Sequence, residues 1–389
     1  MIRQGVTSYC IGVDVGGTNT DAAVVQGDVV VGFPRHVQQK TLPVVLLVLF
    51  TVPYKMLKSS VTSQHWYHTF HQCCDPKENL AKVSVIRLCG PASTAVPPFC
   101  DFPEDLTETI CGSYHFLNGG YEYDGKEITA FDGDELRQCV NQIKDDGITQ
   151  LVVCGIFSPV NPNQELQAAE ILQKEYPELS FTLSHKLGQL GILERENAAI
   201  LNESLKPLCL QTVTAFKAAL RNLELNCPFF LTQNDGTIIS ADQVVELPVR
   251  TFSSGPTNSM RGAAFLSGVR DAIVIDIGGT SSEFGFLKGG FPRQASAHVK
   301  IGGVRTNFQM PDILSIGLGG GSHVTNVKGV GTEQKVVIGP ISCGYKLTSQ
   351  SMVFGEATGK KVLTATDIAV AAGLVGLGDP TEFITLTKK

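Results

Sequence analysis

Two five-residue runs combine a carboxylate, two adjacent glycines and a hydroxyl. They are Asp14-Val15-Gly16-Gly17-Thr18 and Asp276-Ile277-Gly278-Gly279-Thr280. Each follows an apolar run rich in β-branched residues, and each leads through two polar residues to an acid, Asp21 and Glu283. Glycines strip away the Cβ atoms that keep phosphate oxygens off a backbone, and the exposed N–H groups can then face an anion. The threonine hydroxyl adds a donor. The aspartate repels phosphate, so its chemistry is to hold Mg2+ directly or through water, or to orient an attacking water. One such turn is weak evidence. Two matching copies in opposite halves predict one phosphate-bearing ligand gripped between two similar lobes.

Three further runs have polar groups suited to a cleft. Ser315-Ile316-Gly317-Leu318-Gly319-Gly320-Gly321-Ser322 can wrap a phosphate or nucleoside, or be an ordinary loose turn. In the donor-rich run from Ser253 to Ser259, Asn258 and the nearby Arg261 either face the ligand or cap a helix. Arg195-Glu196-Asn197 opens a helical region and reads as a solvated face or as a substrate clamp. Metalloprotease, Cys/His metal, nucleophile-elbow and Walker A patterns are absent from the sequence. His115, His185 and His323 stand isolated and read as structural.

The elements that must position these groups follow from periodicity. Ser8–Val13 reads as a buried strand ending at the first turn, with strands over Asp21–Val25 and Val29–Val31 after it. Asp134–Asp146 and Asn163–Tyr176 show helical spacing, with Leu151–Cys154 a strand between them, as α/β folds alternate. Arg195–Leu223 reads as a long helical connector, interrupted near Pro207. Strands follow at Phe229–Thr232, Thr237–Ser240, Ala272–Ile275 and Phe284–Leu287, and a helix at Asp367–Leu374.

Length and composition fit this picture. A chain of 389 residues with 43% apolar and 17% charged residues can bury two cores. A net charge of −6 argues against nucleic acid or an anionic membrane as partner. The longest apolar run, Leu42–Tyr54, is broken by prolines and too short to span a bilayer. The 11 cysteines are odd in number and scattered, which predicts reduced thiols in a cytoplasmic protein.

Taken together, the paired turns, Ser254-Gly255-Pro256, Arg195-Glu196-Asn197, the run Ile316–Ser322 and Val337-Ile338-Gly339-Pro340 resemble the hydantoinase/5-oxoprolinase family, A-type subunit, and its fungal members in particular. The resemblance covers Tyr9–Val31 and about Asn79–Pro380. It implies an α/β, two-lobed actin-like ATPase (ribonuclease-H-like) fold. The N-terminal lobe spans 1–190 and the A-type lobe 191–389. The resemblance also implies ATP with Mg2+ (or Mn2+), and hydrolysis of a cyclic amide or imide of the 5-oxoproline or hydantoin type. On it, Asp14 and Asp276 are catalytic and hold the metal. Gly16, Gly17, Thr18, Gly278, Gly279, Thr280, Gly319, Gly320 and Gly321 bind the nucleotide phosphates. Arg195, Asn197 and Asn258 contact substrate. A B-type subunit or domain shares the ring opening, and a homo-oligomer is compatible. Ketone carboxylases share the activation step. Two other readings stand beside it: a small-molecule kinase of the same superfamily, for which no catalytic aspartate is evident, and a non-catalytic nucleotide-binding protein.

Two stretches depart from the family. Residues 34–74 are atypical, and Thr381–Lys389 do not resemble the closing segment, so the second lobe is expected to be incomplete. The run His65–Cys74 can be encoded so that the second reading frame gives Ile-Gly-Thr-Thr-His-Phe-Ile-Asn-Ala, close to the family's turn. The segment is therefore expected to be out of frame, a hypothesis that transcript reads with an intact frame for His65–Cys74 would overturn.

Overall fold

Strands covered on both faces read as unbroken apolar runs, and strands covered on one face alternate. Both kinds occur here. The computed structural model describes residues 9–15, 19–26, 29–32, 35–37, 57–62, 80–222, 227–295, 299–307, 309–328, 334–354, 361–374 and 376. The run His65–Cys74 and the segment Thr381–Lys389 lie outside them.

The first turn's flanks form an antiparallel hairpin of β1 (Tyr9–Val15) and β2 (Asn19–Gln26), with Asp14 opposite Asp21. Strands β3 (Val29–Gly32) and β4 (Arg35–Val37) both pair with β2. On the other edge of β1 lies β5 (Leu57–Thr62), running parallel to it.

A second sheet carries β6 (Val83–Leu88), β7 (Cys111–Leu117), β8 (Gln150–Gly155) and β9 (Ser180–Leu183). All are parallel, in the order β7-β6-β8-β9. The crossovers contain α1 (Glu104–Ile110), α2 (Gly133–Asp145) and α3 (Asn163–Glu175). Asp132 caps α2, its carboxylate accepting from the N–H groups of Asp134 and Glu135. Ile86, Leu88, Leu151 and Val153 pack with Leu136, Val140, Ile143, Ala168 and Leu172 of the two helices. The opposite face, with Val83, Val85, Val152 and Cys154, shares a core with α4 (Ile192–Asn222).

Helix α4 runs through Pro207 without the expected interruption. A proline removes one hydrogen bond and crowds the carbonyl four residues back, at a cost of about 3 kcal/mol in an isolated helix. Here the flanking turns are locked on both sides: Leu201, Leu205, Cys209 and Val213 are buried in the core. Tertiary packing offsets the local penalty.

After α4 the chain returns to the first sheet. Strand β10 (Phe229–Thr232) runs parallel to β5, and β11 (Ile238–Ser240) adds antiparallel to β10. The order β11-β10-β5-β1-β2-β3, with β1, β5 and β10 parallel and β2 reversed, is that of a ribonuclease-H-like lobe. The expected boundary at 190/191 lies just before α4. Strands β10 and β11 come after it yet belong to the sheet begun by β1. Ile11 and Val24 share a core with Val213, Phe216, Ala219 and Leu220 of α4, and Phe216 stacks on Phe229 at 4.9 Å between ring centroids.

The second lobe begins beyond α5 (Ala241–Val244), with α6 (Ser254–Ser267) packed on β12 (Ala272–Ile277) and β13 (Ser282–Lys288). Asp276 lies opposite Glu283, the same register as Asp14 and Asp21 in the first lobe. β14 (Phe291–Pro292) and β17 (Ile313–Ile316) also pair with β13. Between them a hairpin of β15 (Val299–Ile301) and β16 (Val304–Thr306) reaches back to α4. The hairpin of β18 (Ser322–Lys328) and β19 (Gln334–Ser342) leads to α7 (Leu347–Gln350) and α8 (Ala365–Ala371). Helix α8 starts on a capping box between Thr364 and the buried Asp367. No helix among the described residues is long and apolar enough to cross a membrane.

Candidate functional site

The second Asp-Gly-Gly-Thr turn joins β12 to β13, so alternation along β12 fixes where its acid points. Ala272, Val274 and Asp276 face α6, while Ile273, Ile275 and Ile277 face away. On α6, Ser259 donates to Asp276 Oδ2 at 2.5 Å. Glu283, opposite Asp276, is buried and accepts from the Ser315 hydroxyl of β17 at 3.4 Å. Pro256, Ser259, Met260, Asp276 and Glu283 line one narrow cavity between helix and sheet.

The glycine-rich loop before β18 lies directly on this turn. Gly320 N–H donates to the Gly278 carbonyl (3.0 Å) and Gly321 N–H to that of Gly279 (2.7 Å). Gly319 N–H donates to the Ser322 hydroxyl at 2.9 Å. A Cβ on Gly319 would come within 2.6 Å of the Gly278 oxygen and the Thr280 nitrogen. Backbone thus meets backbone, which is why the run needs glycine. The N–H groups of Gly319, Gly320 and Gly321, expected at the nucleotide, are bonded within the protein here, and the loop buttresses the Asp276–Thr280 turn.

Within the turn, Gly278 N–H closes it onto the Ser281 carbonyl at 2.9 Å. Among the described residues no carbonyl accepts from the N–H of Gly279 or Thr280. Among the described residues five buried side-chain atoms have no hydrogen-bond partner: Ser93 Oγ and Glu203 Oε1 lie elsewhere, and Thr280 Oγ1, Ser254 Oγ and Asn258 Nδ2 lie here. A buried polar atom without a partner costs about 1–3 kcal/mol, and a bound ligand is one way to complete three that lie together. All three belong to the turn or to the first turns of α6, whose Ser259 holds Asp276. These groups fit a phosphate-bearing ligand. A divalent cation fits less completely. Asp276 supplies one carboxylate, and no cluster of three or more His, Cys, Asp or Glu suited to a metal occurs among the described residues. An ion held here would need phosphate and water oxygens as its other ligands.

In the first copy, Asp14 occupies its place in β1 opposite Asp21, while Gly16, Gly17 and Thr18 lie outside the described residues.

Arg195 and Asn197, expected at the substrate, make hydrogen bonds within the protein. Arg195 is fully buried. Its Nε donates to Ser184 Oγ (2.9 Å), its Nη1 to the carbonyls of Gln189 (2.8 Å) and Leu190 (3.0 Å), and its Nη2 to that of Gly155 (2.6 Å). Asn197 Nδ2 donates to Asp101 Oδ1 (3.0 Å) and to the Arg305 carbonyl (2.9 Å), tying α4 to the β15–β16 hairpin. Both side chains hold the ends of elements together.

The sequence reading missed a buried polar network at the carboxyl ends of the parallel strands. Glu165 of α3 accepts from Gly155 N–H (2.8 Å), the Ser184 hydroxyl (2.7 Å) and His185 Nδ1 (2.5 Å). Burial pushes the Glu165 carboxyl up, but these hydrogen bonds outweigh it and hold the group below its ordinary range. Arg87 of β6 meets Glu196 of α4 with both side chains fully buried. One signal was available: an arginine inside the apolar run Val83–Leu88 requires a buried partner. His185 pairs with Glu165 in this network. His115 lies 3.2 Å from the Ser113 hydroxyl, and His323 lies 3.4 Å from Cys343 Sγ.

A lobe of ribonuclease-H-like topology, followed by a second Asp-Gly-Gly-Thr hairpin in the same register, defines an α/β protein of the actin-like ATPase class. Within that class the chain belongs to the hydantoinase/oxoprolinase family: residues 195–388 match the profile "Hydantoinase/oxoprolinase" and residues 106–176 that of the "Hydantoinase/oxoprolinase N-terminal region". It is 28% identical over 229 residues to the acetophenone carboxylase gamma subunit of Aromatoleum aromaticum, across 57% of this chain and 31% of that one. It is 22% identical over 266 residues to the caprolactamase subunit alpha of Pseudomonas jessenii, across 67% of this chain and 37% of that one. Two solved structures share the fold. The ATP-dependent caprolactamase from Pseudomonas jessenii has a TM-score of 0.71 at 19% identity, covering 95% of this chain and 55% of its own. Nucleotide-free acetone carboxylase has a TM-score of 0.67 at 18% identity, covering 96% of this chain and 57% of its own. The matched region is therefore about a third of the two relatives' length and little more than half of the solved chains.

Proposed function

We propose that the protein is an ATP-dependent hydrolase that opens a cyclic amide or imide of the 5-oxoproline or hydantoin type. The observation that carries this reading is the buttressed turn Asp276–Thr280, with the unpartnered Thr280 hydroxyl and the N–H groups of Gly279 and Thr280 beside the Asp276 carboxylate. Family membership supports it, as do relatives whose names include an ATP-dependent caprolactamase. An amide carbonyl is a poor electrophile. Transfer of the γ-phosphoryl of ATP to its oxygen makes the carbon open to water, so the ring C–N bond breaks and phosphate is released.

This chain's part is positioning and charge neutralisation. The N–H groups of Gly279 and Thr280 and the Thr280 hydroxyl hold phosphate oxygens, Gly278 lets them approach the backbone, and Gly16, Gly17 and Thr18 of the first copy join them. Asp276 and Asp14 would hold Mg2+, which would neutralise phosphate charge, or would orient water. Asn258 contacts the substrate. A B-type subunit or domain completes the ring opening. Ketone activation for carboxylation uses the same first step, and the acetophenone carboxylase relative favours it as the second reading.

The test is phosphate release from Mg-ATP with 5-oxoproline, hydantoin, caprolactam, acetophenone or no second substrate, with ring-opened product followed by chromatography. The hydrolase predicts release stimulated by a cyclic amide or imide, one product per phosphate. Stimulation by acetophenone alone would favour the carboxylase reading. Turnover indifferent to every amide and imide, or nucleotide binding without turnover, would contradict the proposal.

A further inference from the structure

Hydroxyl side chains inside a helix ordinarily bond back to the carbonyl four residues earlier. On α6, Ser267 does so, donating to the Ala263 carbonyl at 2.6 Å, and Thr257 donates to that of Ser253 at 3.0 Å. Ser259 lies between them and makes a different bond. Its hydroxyl crosses to the sheet and donates to Asp276 Oδ2 at 2.5 Å. That reach needs the helix close to the sheet. Gly285 of β13 allows it, because a Cβ there would collide with Sδ of Met260, the next residue along α6.

The two oxygens of Asp276 are therefore unequal. Oδ2 is taken by Ser259, and on this side Ser259, Asp276 and Glu283 line a cavity of about 10 Å3. That is room for one water at most, so a cation with its own water shell has no place there. Oδ1 accepts no hydrogen bond among the described residues and is the oxygen left for a cation.

We infer that Ser259 is a positioning residue: by holding Oδ2 it limits Asp276 to one oxygen toward a divalent cation, and so sets a preference for Mg2+ over Ca2+. The inference rests on the nucleotide reading of the Asp276–Thr280 turn. Mg2+ demands a small octahedral shell, keeps several waters, and takes single carboxylate oxygens beside those of phosphate. Ca2+ gathers about six to eight oxygens and accepts a carboxylate through both of its own. A carboxylate pinned at Oδ2 suits the first ion and withholds the second oxygen from the other. Without the Ser259 hydroxyl, Asp276 is free to turn and to offer both, and the larger cation gains most.

Thermal unfolding of the full chain across a range of Mg-ATP and of Ca-ATP concentrations tests this, since a ligand that binds only the folded state raises the melting temperature according to its affinity. The wild type should bind Mg-ATP about tenfold or more tightly than Ca-ATP, and Ser259→Ala should bring the two to within about threefold. Ser267→Ala, which removes only a local bond at the exposed end of α6, should keep the wild-type ratio. The ratio is taken within each protein and without turnover, so a change in folding stability cancels. A wild type that binds the two complexes equally would overturn the inference whatever the variants do. A ratio in Ser259→Ala equal to that of the wild type would overturn it as well. Both results leave the nucleotide site standing. A folded wild type shifted by neither complex would contradict the site itself, and the inference with it.

Discussion

Buried charge at Glu165 and Arg195 is tolerated because every polar partner is supplied within a few residues of the strand ends. The carboxyl of Glu165 is held below its ordinary range by donors from Gly155, Ser184 and His185. The sign follows from linkage. A depressed carboxyl contributes stability that is present above its unfolded value and is lost as pH falls through the folded value. Urea unfolding should therefore show the wild type losing stability as pH drops from 7 to below 4. Glu165→Gln, less stable at pH 7 by roughly 1–3 kcal/mol for the lost charged hydrogen bonds, should lose less over the same range. A variant with the wild-type pH slope would remove Glu165 from the account. The same scale shows what the sequence hides. Arg195-Glu196-Asn197 is conspicuous as a polar cluster, and its sequence reads equally as a solvated face or a substrate clamp because several of its partners are far along the chain. Ser184, Gly155 and Asp101 come into reach only when the parallel sheet has formed.

Among the elements, the two Asp-Gly-Gly-Thr hairpins, helices α2 and α3 and strand β8 were legible because each rests on local periodicity. The order β7-β6-β8-β9 and the return of β10 to β5 were not, since parallel pairing joins residues far apart and leaves no local pattern. The unbroken course of α4 past Pro207 was hidden for a related reason: packing against the core outweighs a local propensity. The glycine loop was recognised, but its action through backbone contact with the turn could be seen only in three dimensions. Gly319→Ala should destabilise the second lobe by about 1–3 kcal/mol, as inserted methyl groups do where nothing can yield. Gly262→Ala is the comparison, since a Cβ there meets nothing within 4 Å, and it should be neutral or slightly stabilising. Thermal unfolding of both variants reads the difference; equal melting temperatures would mean that the loop does not support the turn.

For the whole molecule, the central proposal is that a nucleotide binds at the turn of the second lobe. The hairpin registers Asp14–Asp21 and Asp276–Glu283 give the two lobes one plan, and the strap of β15 and β16 onto α4 links them. A ligand that binds only the folded state raises the melting temperature in proportion to its affinity. The most direct measurement is the thermal shift with Mg-ATP for the wild type, Asp276→Asn and Thr280→Val. Thr280→Val is the sharpest of the three. Replacing a buried, unpartnered hydroxyl with a methyl should leave the free protein as stable or more stable. The same change should weaken nucleotide binding about tenfold, one lost hydrogen bond to a charged group. The account predicts a clear shift for the wild type, a changed shift for Asp276→Asn and a smaller shift for Thr280→Val despite its unimpaired stability. A folded wild-type chain with no shift, or equal shifts in all three proteins, would contradict it.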